Sequence, residues 1–255
     1  MMLADYHVHS TFDDGKSPLE QTVQAAVSMG LDTLGFSGHS PLPYENDWAM
    51  TPEGAKDYRA EVRRLAEKYA GSIRILCGVE QDFTSVTGTE EYDYVIGSVH
   101  SVFADGEELS VDHMASVQEK AVREHFGGDF QAFAEAYYAR VGQLAEKLRP
   151  DIIGHFDLVS KFNEGGRLFD ESDPRYIAAW KKAADRLLAS GAAFEINTGA
   201  ISRGCRTTPY PSAPIRAYLA ERGAKFLLCS DSHRADTLCF RFDEYRTVPN
   251  LTFLP

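Results

Sequence analysis

The sequence contains no apolar run approaching the ~20 residues that a membrane-spanning helix requires. Its four cysteines, Cys77, Cys205, Cys229 and Cys239, include no C-x-x-C pair. They are too sparse for a disulfide framework and wrongly spaced for a thiolate zinc site. Neither G-x-G-x-x-G nor a Walker A loop is present, so the nucleotide-fold fingerprints are missing. Neither G-x-S-x-G nor a Cys–His pairing is evident, which argues against covalent hydrolase chemistry. Basic residues are in deficit: 26 Lys and Arg face 38 Asp and Glu, for a net charge of −12. Such a surface repels a long nucleic-acid backbone or an anionic membrane. Any anionic substrate must be received by local positive charge. The first residues, Met-Met-Leu-Ala-Asp-Tyr-His, have neither a charged nor an apolar leader region. The expectation is a cytoplasmic protein.

What is present is an ordinary globular balance, 44% apolar and 25% charged, over 255 residues. That length suits one α/β barrel, and no repeat or Pro/Gly/Ser linker divides it, so residues 1–255 read as one domain. Short apolar runs alternate with helical periods, the pattern of βα units. Strands are expected at Leu3–Val8, Thr33–Ser37, Ile73–Val79, Tyr94–Val99, Ile152–Gly154, Ala193–Ile196 and Phe226–Ser230. Ser17-Pro18-Leu19-Glu20 reads as a capping box opening a helix that ends near Gly30. Further helices are expected from Thr51-Pro52 to about Ala70, Phe130–Leu148, Tyr176–Ala189 and Ala213–Glu221. Residues 101–128 read as an inserted loop with a short helix around Met114–Phe126. The pattern predicts an α/β fold whose parallel sheet closes into an irregular barrel, with an open doubly wound sheet as the alternative.

Most of these strands end in metal-competent residues: His7 and His9, His39, Glu80, His100, His155, then Asp231 and His233. The C-terminal face of an α/β barrel is where its chemistry is built. Six of the eight histidines sit at such points, too concentrated for structural use alone; His113 and His125 lie in the inserted segment and are set aside. His-x-His on a strand puts two imidazoles on one face, about 6.5 Å apart. Imidazole and carboxylate donors suit Zn, Fe or Mn.

The set Asp5-Tyr6-His7-Val8-His9-Ser10, His39, Gly78-Val79-Glu80, Gly97-Ser98-Val99-His100-Ser101, Gly154-His155-Phe156-Asp157 and Ser230-Asp231-Ser232-His233 resembles the PHP (polymerase and histidinol phosphatase) superfamily. Its Gly-Ser-Val-His and Gly-His-Phe-Asp contexts resemble the histidinol-phosphate phosphatase branch. The resemblance implies a distorted (βα)7, TIM-barrel-like fold with three divalent ions at the strand C-termini. Carried onto this sequence, it implies His7, His9, Glu80 and Asp231 around the first ion. It implies Glu80, His100 and His155 around the second, and Asp14, His39 and His233 around the third, with Asp13 as the neighbouring alternative to Asp14.

The implied activity is a metal-dependent phosphomonoesterase acting on L-histidinol phosphate, a small-molecule step of histidine biosynthesis. Two ions about 3.5–4 Å apart can share a water and lower its pKa toward ~7, and a third can neutralise phosphate oxygens. Glu80, Asp231 and His233 are the catalytic candidates, with Asp231 or His233 returning a proton to the leaving alkoxide. Arg203 and Lys161 follow strands whose ends face the metals, and an Arg fork suits phosphate. Asn197 is placed to orient a ligand or a water. Asp105, Glu107, Glu108 and Asp112 are candidates for the substrate's ammonium. The alternatives are a PHP phosphoesterase for nucleotides or short oligonucleotides, an amidohydrolase on a similar barrel, and a non-catalytic metal-binding protein.

Overall fold

A computed structural model describes residues 2–255. The chain runs β1 (Ala4–Asp5), α1 (Leu19–Met29), β2 (Thr33–Phe36), α2 (Pro52–Lys68), β3 (Arg74–Asp82) and β4 (Tyr94–Ser98). It continues with β5 (Ser101–Ala104), β6 (Glu107–Ser110), α3 (Ala115–His125), α4 (Phe130–Val141), α5 (Leu144–Lys147) and β7 (Ile152–Ile153). Next come α6 (Pro174–Leu188), β8 (Ala193–Asn197), α7 (Gly199–Ser202), α8 (Ala213–Glu221) and β9 (Phe226–Cys229).

Seven strands form one sheet in the order β1-β2-β3-β4-β7-β8-β9, every pairing parallel. Beyond its two edges, Val8 bridges Ser232 in parallel, and His9 N donates to Ser232 O at 2.8 Å. The sheet therefore curls into a nearly closed barrel, which excludes the open doubly wound alternative. Among the described residues, no helix is long and apolar enough to cross a membrane.

Burial divides along the strands with period two. A cluster drawn almost wholly from strands, including Leu76, Tyr94, Ile96, Ile152 and Leu227, fills the barrel interior. Ile75 and Cys77, on the other face of β3, pack with α1 and α2 side chains; Phe194 and Ile196 do the same with the α4 and α6 side. The interior carries one large wedge. Tyr94 donates its hydroxyl to Tyr6 O at 2.6 Å and its ring lies where a Cβ on Gly35 or Gly78 would overlap it. Only glycine permits that approach.

Three local expectations are corrected. Ser17 does not cap α1: its hydroxyl accepts from Ala235 N at 3.0 Å, and Glu20 turns outward to Lys68 and Tyr69. A long-range tie to the last loop has displaced the local cap. The helix expected over 130–148 is two, separated at Gly142, where the Ala183 Cα of α6 would stand 3.3 Å from an added Cβ. Close packing against α6 is retained while the helix breaks. Finally, the segment 101–128 begins with an antiparallel hairpin, β5 on β6, turning at Asp105-Gly106 with both φ positive (51° and 88°). Asp-Gly between apolar alternations is the signature of that turn.

Candidate metal centre

The inward face of β3 carries Leu76, Gly78, Glu80 and Asp82 in succession: apolar at the bottom, open beside Tyr94, acidic at the top. On the first strand the alternation slips by one after Tyr6. Ala4 and Tyr6 face the interior, Val8 packs outward, and His7 and His9 turn toward Glu80. Those shifts put the two halves of the Glu80 carboxylate among different imidazoles. Its Oε2 lies 3.2 Å from His7 Nε2, 3.6 Å from His9 Nε2 and 2.9 Å from His39 Nδ1. Its Oε1 lies 2.9 Å from His155 Nε2 and 3.4 Å from His100 Nε2. Asp231 Oδ1 adds an oxygen 3.4 Å from His9 Nε2. Asp14 Oδ1 lies 3.1 Å from His233 Nε2 and 3.8 Å from His39 Nε2.

Three groups of ligand atoms are mutually within 4.8 Å: His9 with Asp14, His39 and His233; His7 with His9 and Glu80; and His39 with Glu80 and His100. Seven of the nine residues expected as ligands fall in these groups, with His9, His39 and Glu80 each shared between two, and His155 and Asp231 adjoin them beside Glu80 and His9. The neighbouring Asp13 takes another place, its Oδ2 lying 2.5 Å from His9 Nδ1. His7 Nδ1 meets Glu195 Oε2 at 2.7 Å, and His100 Nδ1 meets Asp82 Oδ2 at 2.9 Å. A carboxylate on Nδ1 fixes the ring and leaves Nε2 as the free donor, as metal-ligating histidines require.

Whether metal suits these residues is decided by the atoms left without hydrogen bonds. His7 Nε2, His9 Nε2, His39 Nδ1, Asp14 Oδ1 and Glu80 Oε2 are buried and unpartnered, and they converge. Buried polar atoms are rarely orphaned. Divalent cations satisfy all of them at once, and mixed imidazole and carboxylate donors fit such ions. The electrostatics agree. Burial opposes charge on Glu80, yet His39, His7 and His100 hold its carboxyl well below the usual range. Burial likewise opposes charge on Asp231, which Arg203 and His7 keep ionised. Burial and the neighbouring His9 push the His233 imidazole down, whereas the carboxylates around His7, His9 and His100 push theirs up against burial, a concentration of negative charge that divalent ions would neutralise.

A cavity of about 590 Å³ opens over these groups, walled by Tyr44, Asp47 and Trp48 on one side and by Glu108, Asp112 and His113 on the other. Lys161 and Arg203 both reach it. Neither stands free. Lys161 Nζ donates to Asp112 O at 2.7 Å, and Arg203 donates from Nη2 to Asp231 Oδ2 at 2.9 Å and from Nη1 to Asp231 O at 2.8 Å. Asn197 is fully buried; its Nδ2 donates to Glu195 Oε1 at 2.8 Å and Asp231 Oδ2 at 3.2 Å, so it orients carboxylates. Of the acidic loop, Glu108 and Asp112 line the cavity, but Glu108 is gripped by Arg140; Asp105 turns to His125, and Glu107 is exposed outside. His113, set aside on sequence grounds, lies at the cavity wall.

Sequence reasoning missed Asp82 and Glu195, and considered Asp13 only as an alternative ligand to Asp14, not as the partner of His9 Nδ1. Two had a legible signal: Asp82 follows Glu80, and Asn197 follows Glu195, at the two-residue period that shares one strand face. Trp48, edge-on to His39 at 4.7 Å between ring centroids, had none.

Residues 5–199 match the model of the PHP domain family. The chain belongs to the PHP domain family. Among curated relatives, the "Probable histidinol-phosphatase" of Deinococcus radiodurans is 32% identical over 251 residues, covering 94% of this chain and 90% of that protein. The "Probable histidinol-phosphatase" of Schizosaccharomyces pombe is 28% identical over 238 residues, 84% of this chain and 74% of the other. The same fold is seen in a solved structure from Listeria monocytogenes, with TM-score 0.82 at 22% identity, covering 95% of this chain and 99% of that one. A histidinol phosphate phosphatase from Lactococcus lactis, complexed with zinc, L-histidinol and phosphate, aligns with TM-score 0.72 at 19% identity, covering 96% and 92%. At these identities the structural likeness establishes the shared fold.

Proposed function

We propose that this chain, acting as one domain, is a phosphomonoesterase that hydrolyses L-histidinol phosphate to L-histidinol and inorganic phosphate in the cytoplasm. The carrying observation is Glu80: its two oxygens face separate imidazole groups, as a carboxylate bridging two ions must. His7, His9, Glu80 and Asp231 would hold one ion; Glu80, His100 and His155 a second; Asp14, His39 and His233 a third. Zn, Fe and Mn all suit these donors. Bound there, the ions supply Lewis-acid stabilisation of the phosphate oxygens and an acidified water. The relatives' names support the substrate.

The protein's own groups do the rest. Arg203 and Lys161 bring positive charge to the cavity of an acidic molecule, where a phosphate docks. Asn197 and Arg203 hold Asp231 mainly from Oδ2, with a longer Arg203 Nη1 contact of 3.4 Å to Oδ1, the oxygen that faces the histidines. His233 Nδ1 stands 3.5 Å from Asp231 Oδ1 on the cavity wall, where His233 would relay the proton given up by the attacking water to the leaving alkoxide. Asp112, beside Lys161 on the cavity wall, provides the anion that an ammonium-bearing substrate needs.

Steady-state assays on histidinol phosphate, nucleoside monophosphates and an aryl phosphate, before and after chelation, test this reading. Histidinol phosphate is expected to give the highest kcat/KM, and activity should vanish on chelation and return with Zn²⁺ or Mn²⁺. Glu80→Gln should lose bound metal and nearly all turnover while keeping its circular dichroism. A preferred nucleotide, or turnover indifferent to chelation, would replace the proposal.

A further inference from the structure

His155 breaks the pattern of its neighbours. His7, His9 and His100 each rest Nδ1 against a carboxylate, and His233 rests Nδ1 3.0 Å from Asp231 O. His155 turns Nε2 to Glu80, but its Nδ1 is buried with no partner. Three more orphaned atoms lie in the residues behind it. Tyr210, fully buried, sets its ring 6.4 Å from the His155 ring at 72°, and its hydroxyl makes no hydrogen bond. The Arg206 guanidinium lies 4.9 Å over the Tyr210 ring with Nε unpaired. Asp157, two residues past His155, accepts from Ser212 N with Oδ2 at 2.9 Å and leaves Oδ1 unpaired. Buried donors and acceptors left open beside one another are costly unless they serve each other, directly or through an ordered water.

We propose that Tyr210 is the positioning residue of His155: through one ordered water its hydroxyl receives the Nδ1–H that carboxylates receive directly in His7, His9 and His100, with Arg206 packed over the phenol ring. The main chain supports this. Tyr210 N donates to Asn197 O at 3.0 Å and Asn197 N returns the bond to Tyr210 O at 2.8 Å, which fixes the phenol to the end of β8 beside the metal centre. A neutral phenol raises the basicity of an imidazole less than a carboxylate does. His155 is therefore a weaker donor than His7, His9 or His100, and the ion it shares with Glu80 and His100 is the one most readily lost.

The inference rests on His155 being a ligand, and the experiment separates the two. Zn²⁺ content of the full chain is measured by mass spectrometry after dialysis against buffered free Zn²⁺, for wild type, Tyr210→Phe, Asp157→Asn and His155→Asn. Tyr210→Phe keeps the ring under Arg206 and removes one oxygen. It should weaken one ion by about tenfold, within the range for a lost hydrogen bond to a ligating histidine. The other two ions should be unmoved, as should the melting temperature of the metal-free protein. Asp157→Asn should weaken the same ion by less. If Tyr210→Phe binds all ions as wild type does, or lowers them together with the metal-free stability, the positioning role is overturned. If His155→Asn also keeps full metal, the ligand assignment falls with it; if His155→Asn loses one ion, that assignment stands alone.

Discussion

The imidazole of His7 and the carboxylate of Glu195, 188 positions apart, meet at 2.7 Å between Nδ1 and Oε2, with both side chains sealed from solvent. Nothing else in the barrel aims His7 Nε2 at Glu80 so directly. Glu195→Gln should therefore weaken metal binding by about 10–100-fold. Equilibrium dialysis against Zn²⁺ reads the loss, and kcat/KM should fall with it. Unchanged affinity would mean that strand geometry alone orients the ring.

The wedge of Tyr94 between Gly35 and Gly78 makes the barrel floor intolerant of one methyl group. Gly78→Ala should cost about 1–3 kcal/mol, the usual penalty for overpacking. Denaturant unfolding measures it. Because Gly78 is two residues from Glu80, metal content should fall as well, and adding Tyr94→Leu should restore part of both.

Arg203 is 33% exposed at its side chain and faces the cavity while gripping Asp231. Arg203→Met is expected to lower kcat/KM by roughly ten- to a hundredfold, from a charge-assisted contact of about 1.5–3 kcal/mol. Inhibition by inorganic phosphate should weaken in parallel. Arg203→Lys should recover only part, since an ammonium cannot hold Asp231 and a phosphate with one planar fork. Wild-type phosphate inhibition in Arg203→Met would leave phosphate binding to the metals and Lys161.

Part of the alkaline stability follows from Tyr6, alongside the other buried phenols such as Tyr58 and Tyr94. Burial keeps the Tyr6 phenol neutral and pushes it up to about 12 from the ordinary 10.0. The folded state holds this proton more tightly than the unfolded chain, so the contribution is whole below pH 10 and is lost as pH rises through 12. Each unit of difference is worth about 1.4 kcal/mol. Melting temperatures should fall from pH 10 upward, and Tyr6→Phe should flatten that decline. A decline of equal slope in Tyr6→Phe would assign it elsewhere.

Strand ends and their histidines were legible because a barrel writes its chemistry at fixed places, after each apolar run. His7, His9, Glu80 and His155 could be read from position alone. The hairpin at 101–110 was misread although Asp105-Gly106 marks its turn, since Phe103 points to solvent and blurs the alternation. Ser17 had every local mark of a cap, yet Ala235, distant in sequence, claimed its hydroxyl. Glu195 was overlooked for a different reason. A carboxylate inside a five-residue buried strand gains its meaning only from His7, which the sequence does not place beside it.

The floor beneath the metals has a kinetic consequence. With Tyr94 and the apolar side chains below it closing that end, the centre is a cul-de-sac, and everything enters and leaves past Trp48 and His113. Under the proposed reaction, phosphate sits deepest and the alcohol nearer the mouth. The alcohol must depart first and phosphate last. Inorganic phosphate should then compete with substrate for the free enzyme, whereas histidinol should inhibit noncompetitively, and the barrel's architecture would set the queue.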